Sequence, residues 1–168
     1  GPSTEIFYDH GPEHGPDGGP ANEAADRRYV EIWNLVFTQY FRNADGSLTD
    51  LPTRNVDTGA GMERILAVLA GSASLYAADV LAGLVDQAQL VTGHSLGQSE
   101  LGDIALRLLA DHTRTATFLV ADGVVPSNEE RGFVLRRIIR RAIRFAYLLG
   151  VEDSVTPRLA ERTIELMG

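Results

Sequence analysis

The segment VDTGAGMERI, Val56 to Ile65, passes from β-forming residues through two glycines one residue apart into good helix formers. Glycine lets a backbone approach a ligand closely, and the unpaired N–H groups of a helix start attract anions, so the segment suits a phosphate site. It equally suits a tight strand-to-helix turn with no ligand. The dinucleotide fingerprint is excluded because its third glycine is missing, and a P-loop because no Gly-Lys-Ser/Thr follows. From Met62 to Ala70 (MERILAVLA) the apolar residues Ile65, Leu66, Leu69 and Ala70 keep a helical period.

Upstream, Tyr29 to Phe41 (YVEIWNLVFTQYF) is dense in aromatic and β-branched residues and predicts a long, largely buried strand. Asn43 to Ser47 (NADGS) is turn chemistry, so a hairpin follows, with LPTRN as a connection and a partner strand at Val56 to Thr58. Thr4 to His10 (TEIFYDH) predicts a further strand. Gly11 to Asp26 mixes glycine and proline with polar residues and predicts a mobile surface loop. His10 and His14, four apart, can share a metal when they lie on one helix, but Gly11, Pro12 and Gly15 argue against that helix and favour a solvated loop. Within the long strand, ideal alternation puts residues 31 and 33 on one face and 32 and 34 on the other. A carboxylate and an amide there, Glu31 and Asn34, are costly to bury unless paired or bound to a cation. An edge strand with one wet face is the other reading.

Downstream the chain reads as helices: Leu75 to Thr92, Leu101 to Val120, Arg131 to Leu149, and a fourth from Pro157. His112 falls on an apolar face, as a satisfied core histidine would. On the third helix Arg136, Arg137, Arg140, Arg141 and Arg144 occupy one arc with no acid, and the large aliphatic residues fill the rest. Such an arc is either a solvated face or a contact for an RNA backbone.

The 168 residues, 44% hydrophobic and 23% charged, suit one ordinary domain or two small ones and exclude a mainly disordered chain. No cysteine is present, which excludes disulfides, thiolate zinc sites and a cysteine nucleophile. No apolar run suits a membrane span and no signal peptide opens the chain, so the expected compartment is cytoplasm. The net charge of −8 hides an asymmetry, because residues 107 to 144 hold eight arginines against four acids. All fifteen basic residues are arginine, which reflects either base composition or arginine's fit to phosphate. The expected fold class is α+β: a partial antiparallel sheet with one helix against it over residues 1–71, then a mostly helical domain over 72–168.

Taken in order, GPSTEIFYDHG, RYVEIWNLVFTQY, LPTRNVDTGAGMERI and LADHTRTATFLVADGVVPSNEERGFVLRRIIRRAIR resemble the alanyl-tRNA synthetase family over essentially the whole chain. The resemblance implies the C-terminal part of a class II catalytic domain, with its third class-defining motif, running into a truncated tRNA-recognition domain. The first two class II motifs have no counterpart here. Arg64 then matches the motif arginine that stacks over adenine and reaches the γ-phosphate of bent ATP. Gly59 and Gly61 match the glycines of the ATP floor, and Glu31 matches the acid that holds magnesium near the phosphates, with Asn34 near the amino acid or metal. Asp57 matches the acceptor of the α-ammonium of alanine, while Trp33 and Val36, with Gly59, shape the pocket for its methyl group.

The same resemblance implies that Asn128, Arg131, Arg136, Arg137, Arg140, Arg141 and Arg144 face the acceptor stem of tRNA(Ala). Its further implications are ATP and Mg2+ as cofactors, no zinc site in this stretch, no membrane partner, and dependence on the remainder of a parent chain that also carries any editing domain. A non-catalytic RNA-binding module, or a class II synthetase for another small amino acid, are the alternatives.

Overall fold

The structure, a computed structural model, describes residues 1–168. It comprises two compact units, Gly1–Leu75 and Tyr76–Gly168, against an expected boundary at 71/72. The class is α+β.

In the first unit, β1 (Ser3–Asp9), β2 (Tyr29–Arg42) and β3 (Leu48–Ala60) form an antiparallel sheet in the order β1-β2-β3, and α1 (Met62–Leu69) follows. The hairpin turn closes as its composition predicts. Asn43 N–H donates to the Ser47 carbonyl at 2.9 Å, Gly46 takes a φ of 85°, and the Asp45 carboxylate accepts from the Ser47 N–H and hydroxyl.

The expected partner strand, Val56 to Thr58, is too short. β3 begins at Leu48, and LPTRN lies within it rather than forming a connection. Pairing passes from Thr38↔Asn55 to Tyr40↔Asp50, so residues 51–54 bulge opposite Gln39. Pro52, which has no N–H for a ladder, is tolerated in that bulge on an edge strand.

Gly11 to Asp26 is more organised than its composition suggests. It carries two short 3-10 turns, Pro12–His14 and Glu23–Ala25, and Ala25 is fully buried. Arg28 clamps it with a bidentate bond to Asp9, at 2.7 and 2.8 Å, while the Tyr29 hydroxyl donates to Asp17 at 2.8 Å. His10 and His14 rings meet edge to face at 5.5 Å, and no group of three or more histidines and acids that could hold a metal ion assembles around them.

The Arg28 clamp and the Gly11 N–H hold the Asp9 carboxyl near 2, below the ordinary 3.8. A depressed folded-state value means the bond stabilises fully above about pH 4 and is lost as pH falls through about 2. Acid titration followed by the fluorescence of Trp33, the only tryptophan, should therefore show a transition in that window. Asp9→Asn should remove it, and an unchanged titration in that variant would refute the assignment.

The second unit contains α2 (Asp79–Thr92), α3 (Glu100–Ala121), α4 (Glu130–Leu148) and α5 (Thr156–Met167). The stretch expected as one helix from Leu75 divides into a 3-10 turn, Leu75–Ala77, and then α2. The ends follow local chemistry. Gly93 stops α2 with φ 72°, the Ser99 hydroxyl caps α3 by accepting the Gly102 N–H at 3.0 Å, and Pro157 opens α5. α3 is the central helix, packed on α2, α4 and α5. Leu106 and Leu109 of α3 are fully buried, as are Leu84 of α2, Leu135 of α4 and Leu159 of α5. No helix is long and apolar enough to cross a membrane.

Candidate functional site

The pairing of β1 with β2 rearranges the face expected from strict alternation. Ile6 pairs with Trp33 but Phe7 pairs with Glu31, which leaves Ile32 as an extra residue on β2. A bulge of this kind turns the side chains beyond it to the opposite face. Directly paired residues share a face, so Glu31 joins Phe7, Glu5 and Asn34. Through Asn34↔Gly59 and Val36↔Asp57 the same face gains Val36, Asp57 and Gly59. Seven residues taken from three separated segments thus share one partly exposed surface: Glu5, Phe7, Glu31, Asn34, Val36, Asp57 and Gly59.

Trp33 is not among them. It pairs with Ala60 on the reverse face, where its indole N–H donates to the Thr58 hydroxyl at 2.6 Å, so it cannot line a pocket with Asp57 and Asn34. Glu5, absent from the residues that sequence singles out, takes its place in the network by accepting from Asn34 Nδ2 at 3.1 Å. The only signal for Glu5 in the sequence is a charged residue inside a β-forming run.

Arg64 rises from the first turn of α1 to the same region. Its Nη1 donates to the Glu31 carbonyl at 2.7 Å and lies 3.8 Å from the Glu31 carboxylate, with the side chain 45% exposed. One nitrogen is anchored and the rest of the planar fork is open to a ligand. The two glycines before α1 act differently. A Cβ on Gly59 would meet nothing within 4 Å, so its value is an uncovered floor, whereas one on Gly61 would press on Arg64 Cδ at 3.0 Å. Gly61 has an ordinary extended φ of −77°, so packing against Arg64, not backbone conformation, is what its lack of a side chain serves.

Magnesium fits this donor set in one specific way. No three acids and histidines cluster tightly enough to cage an ion. The face offers the partly exposed Glu31 carboxylate and, with Nδ2 of Asn34 held by Glu5, the Asn34 amide oxygen. Hard oxygens in that number suit an ion completed by phosphate oxygens and water.

In the second unit, Arg136, Arg137, Arg140, Arg141 and Arg144 are all exposed along α4, while Leu135, Ala142 and Ala146 are buried. Arg136 Nη1 donates to the side-chain oxygen of Asn128, leaving that amide its N–H donors. A cavity of about 250 Å³ is lined by Asn128, Phe133, Arg136, Arg137 and Arg140. The Asn128 turn is braced from below. A Cβ at buried Gly132 would collide with Ser127 Oγ and the Val125 carbonyl, so only glycine fits. Arg131 stands apart, in the first turn of α4, lining a different concavity with Ser127 and Glu129. His112 is half-buried, with Nδ1 3.1 Å from the Asp111 carboxylate.

One unit sets a bare glycine beside an exposed arginine and the other carries an arginine-faced helix, and the chain that holds both belongs to the class II tRNA synthetases. The family model described as tRNA synthetases class II (A) matches residues 1–168. Among individual proteins the similarity is to alanine–tRNA ligases: 49% identity with that of Acidithiobacillus ferridurans, 50% with that of Nitrosomonas eutropha and 48% with that of Idiomarina loihiensis. Each match covers 100% of this chain and 19% of the relative, so the chain spans about a fifth of the length of these curated relatives.

Proposed function

We propose that this chain is part of an alanine–tRNA ligase acting in the cytoplasm. Residues 1–71 would be the C-terminal part of its catalytic domain and 72–168 the start of its tRNA-recognition domain. The observation that carries the reading is the bulge at Ile32, which gathers Glu31 with Asn34, Asp57 and Gly59 on the face Arg64 reaches.

In the reaction, the carboxylate of alanine attacks the α-phosphate of ATP, releasing pyrophosphate and forming alanyl-adenylate. The terminal ribose hydroxyl of tRNA(Ala) then attacks the alanyl carbonyl carbon, forming the ester and breaking the mixed anhydride to release AMP. The chain's residues work by position and charge. Asp57 accepts the α-ammonium of alanine, and Val36 with the bare Gly59 floor leaves room for a methyl group beside it. Arg64 lays its exposed guanidinium against the adenine and γ-phosphate. Glu31 and Asn34 would hold the magnesium, whose contribution when bound is to neutralise phosphate charge. A methyl-sized pocket discriminates weakly against glycine and serine, so editing belongs elsewhere in such a protein.

The test is aminoacylation by a full-length protein carrying this segment, offered alanine, glycine and serine. Preference for alanine is expected in kcat/KM, and preference for another amino acid would overturn the assignment. The 168-residue chain by itself is expected to give no alanine-dependent pyrophosphate exchange. Exchange by the isolated chain would show that the site needs nothing beyond these residues.

A further inference from the structure

Phe133 is 47% exposed and stands one helical turn before Arg136 and Arg137 and two turns before Arg140. All four line the same cavity as Asn128. A phenyl ring contributes nothing to phosphate binding, and the bases inside an A-form duplex are stacked away from such a ring. What a phenyl face framed by guanidinium groups does accommodate is the flat face of an unpaired base, with its phosphates taken by the neighbouring cations.

We infer that Phe133 is a stacking platform for one unpaired nucleotide at the end of an RNA stem, juxtaposed with the phosphate-binding arginines of α4. The inference rests on the tRNA reading of the second unit and adds a specificity-determining residue to it. It makes the α4 surface a reader of the junction between duplex and single strand, beyond its role as a cationic rail.

The experiment measures binding of the 168-residue chain, by fluorescence anisotropy, to two RNA hairpins with the same stem, one blunt and one with a short unpaired 3′ tail. The wild-type chain should bind the tailed RNA more tightly. Phe133→Ala should weaken that binding by about tenfold, leave the blunt RNA unchanged, and leave the salt dependence unaltered, since stacking releases no counterions. Phe133→Tyr should bind like wild type. Phe133→Leu, which keeps apolar bulk without a ring, should lose affinity as alanine does.

If leucine binds as phenylalanine does, or if alanine weakens both RNAs equally or neither, the stacking role is overturned while the cationic face survives. If the wild-type chain binds neither RNA, the RNA reading of the unit fails and takes this inference with it. Circular dichroism confirms that α4 is intact in each variant.

Discussion

Arg64→Ala in a full-length ligase carrying this segment is expected to lower alanine-dependent pyrophosphate exchange by about 10²- to 10³-fold, the usual effect of deleting one preorganised group that stabilises developing charge. The loss should fall on kcat as well as on the KM for ATP, because in the proposed role the guanidinium would both bind the nucleotide and sit where negative charge moves. Arg64→Lys should recover little. A point charge replaces neither the planar surface against adenine nor the fork that also bonds the Glu31 carbonyl. The side chain is 45% exposed and its hydrogen-bonded anchor is a backbone carbonyl, so the variant should stay folded. Thermal melts within a few degrees of wild type would separate a defect in chemistry from a defect in folding. An exchange rate within about threefold of wild type would remove Arg64 from the site.

The expectation depends on Glu31 and Arg64 meeting over one sheet face, and that meeting could not be read from alternation along Tyr29–Phe41. Strict alternation pairs Glu31 with Trp33 and separates it from Asn34. The reverse holds because Ile32 is an extra residue, and extra residues are visible only in the register against β1. β3 behaves in the same way. Its first half is obscured because Pro52 and Arg54 do not look like strand, and they are accommodated by a bulge opposite Gln39.

The long-range clamp from Arg28 to Asp9 spans nineteen residues of sequence, too far for a local pattern to signal, and so the intervening segment reads as mobile. The helices are more transparent. Gly93, Ser99, Gly150 and Pro157 punctuate them by rules that involve only neighbouring residues, and the arginine arc of α4 follows from helical periodicity alone. The roles given to Asp57, Asn128 and Arg64 come from resemblance to a family, since composition and spacing allow a tight turn and a solvated face just as well.

The second large effect concerns that arc. Replacing Arg137 and Arg141 together by alanine is expected to weaken binding of a tRNA acceptor-stem hairpin on the order of ten- to a hundredfold at low salt. It should also flatten the slope of log K against log salt by about 2, one for each phosphate that is no longer neutralised. These two are chosen because they lie four residues apart on the exposed face and have no acidic partner within the chain, so their removal breaks no ion pair of the folded state. Arg136 is a poorer probe of charge, because it also holds the Asn128 amide and its loss would free that side chain. Arg131 supplies the contrast. It carries the same charge on the same helix but lines another concavity, so Arg131→Ala should leave the salt slope unchanged. Equal losses from Arg131→Ala and from the double variant would mean that RNA responds to the net charge of the unit. A loss confined to the double variant would mean that it is held by the geometry of one helix face.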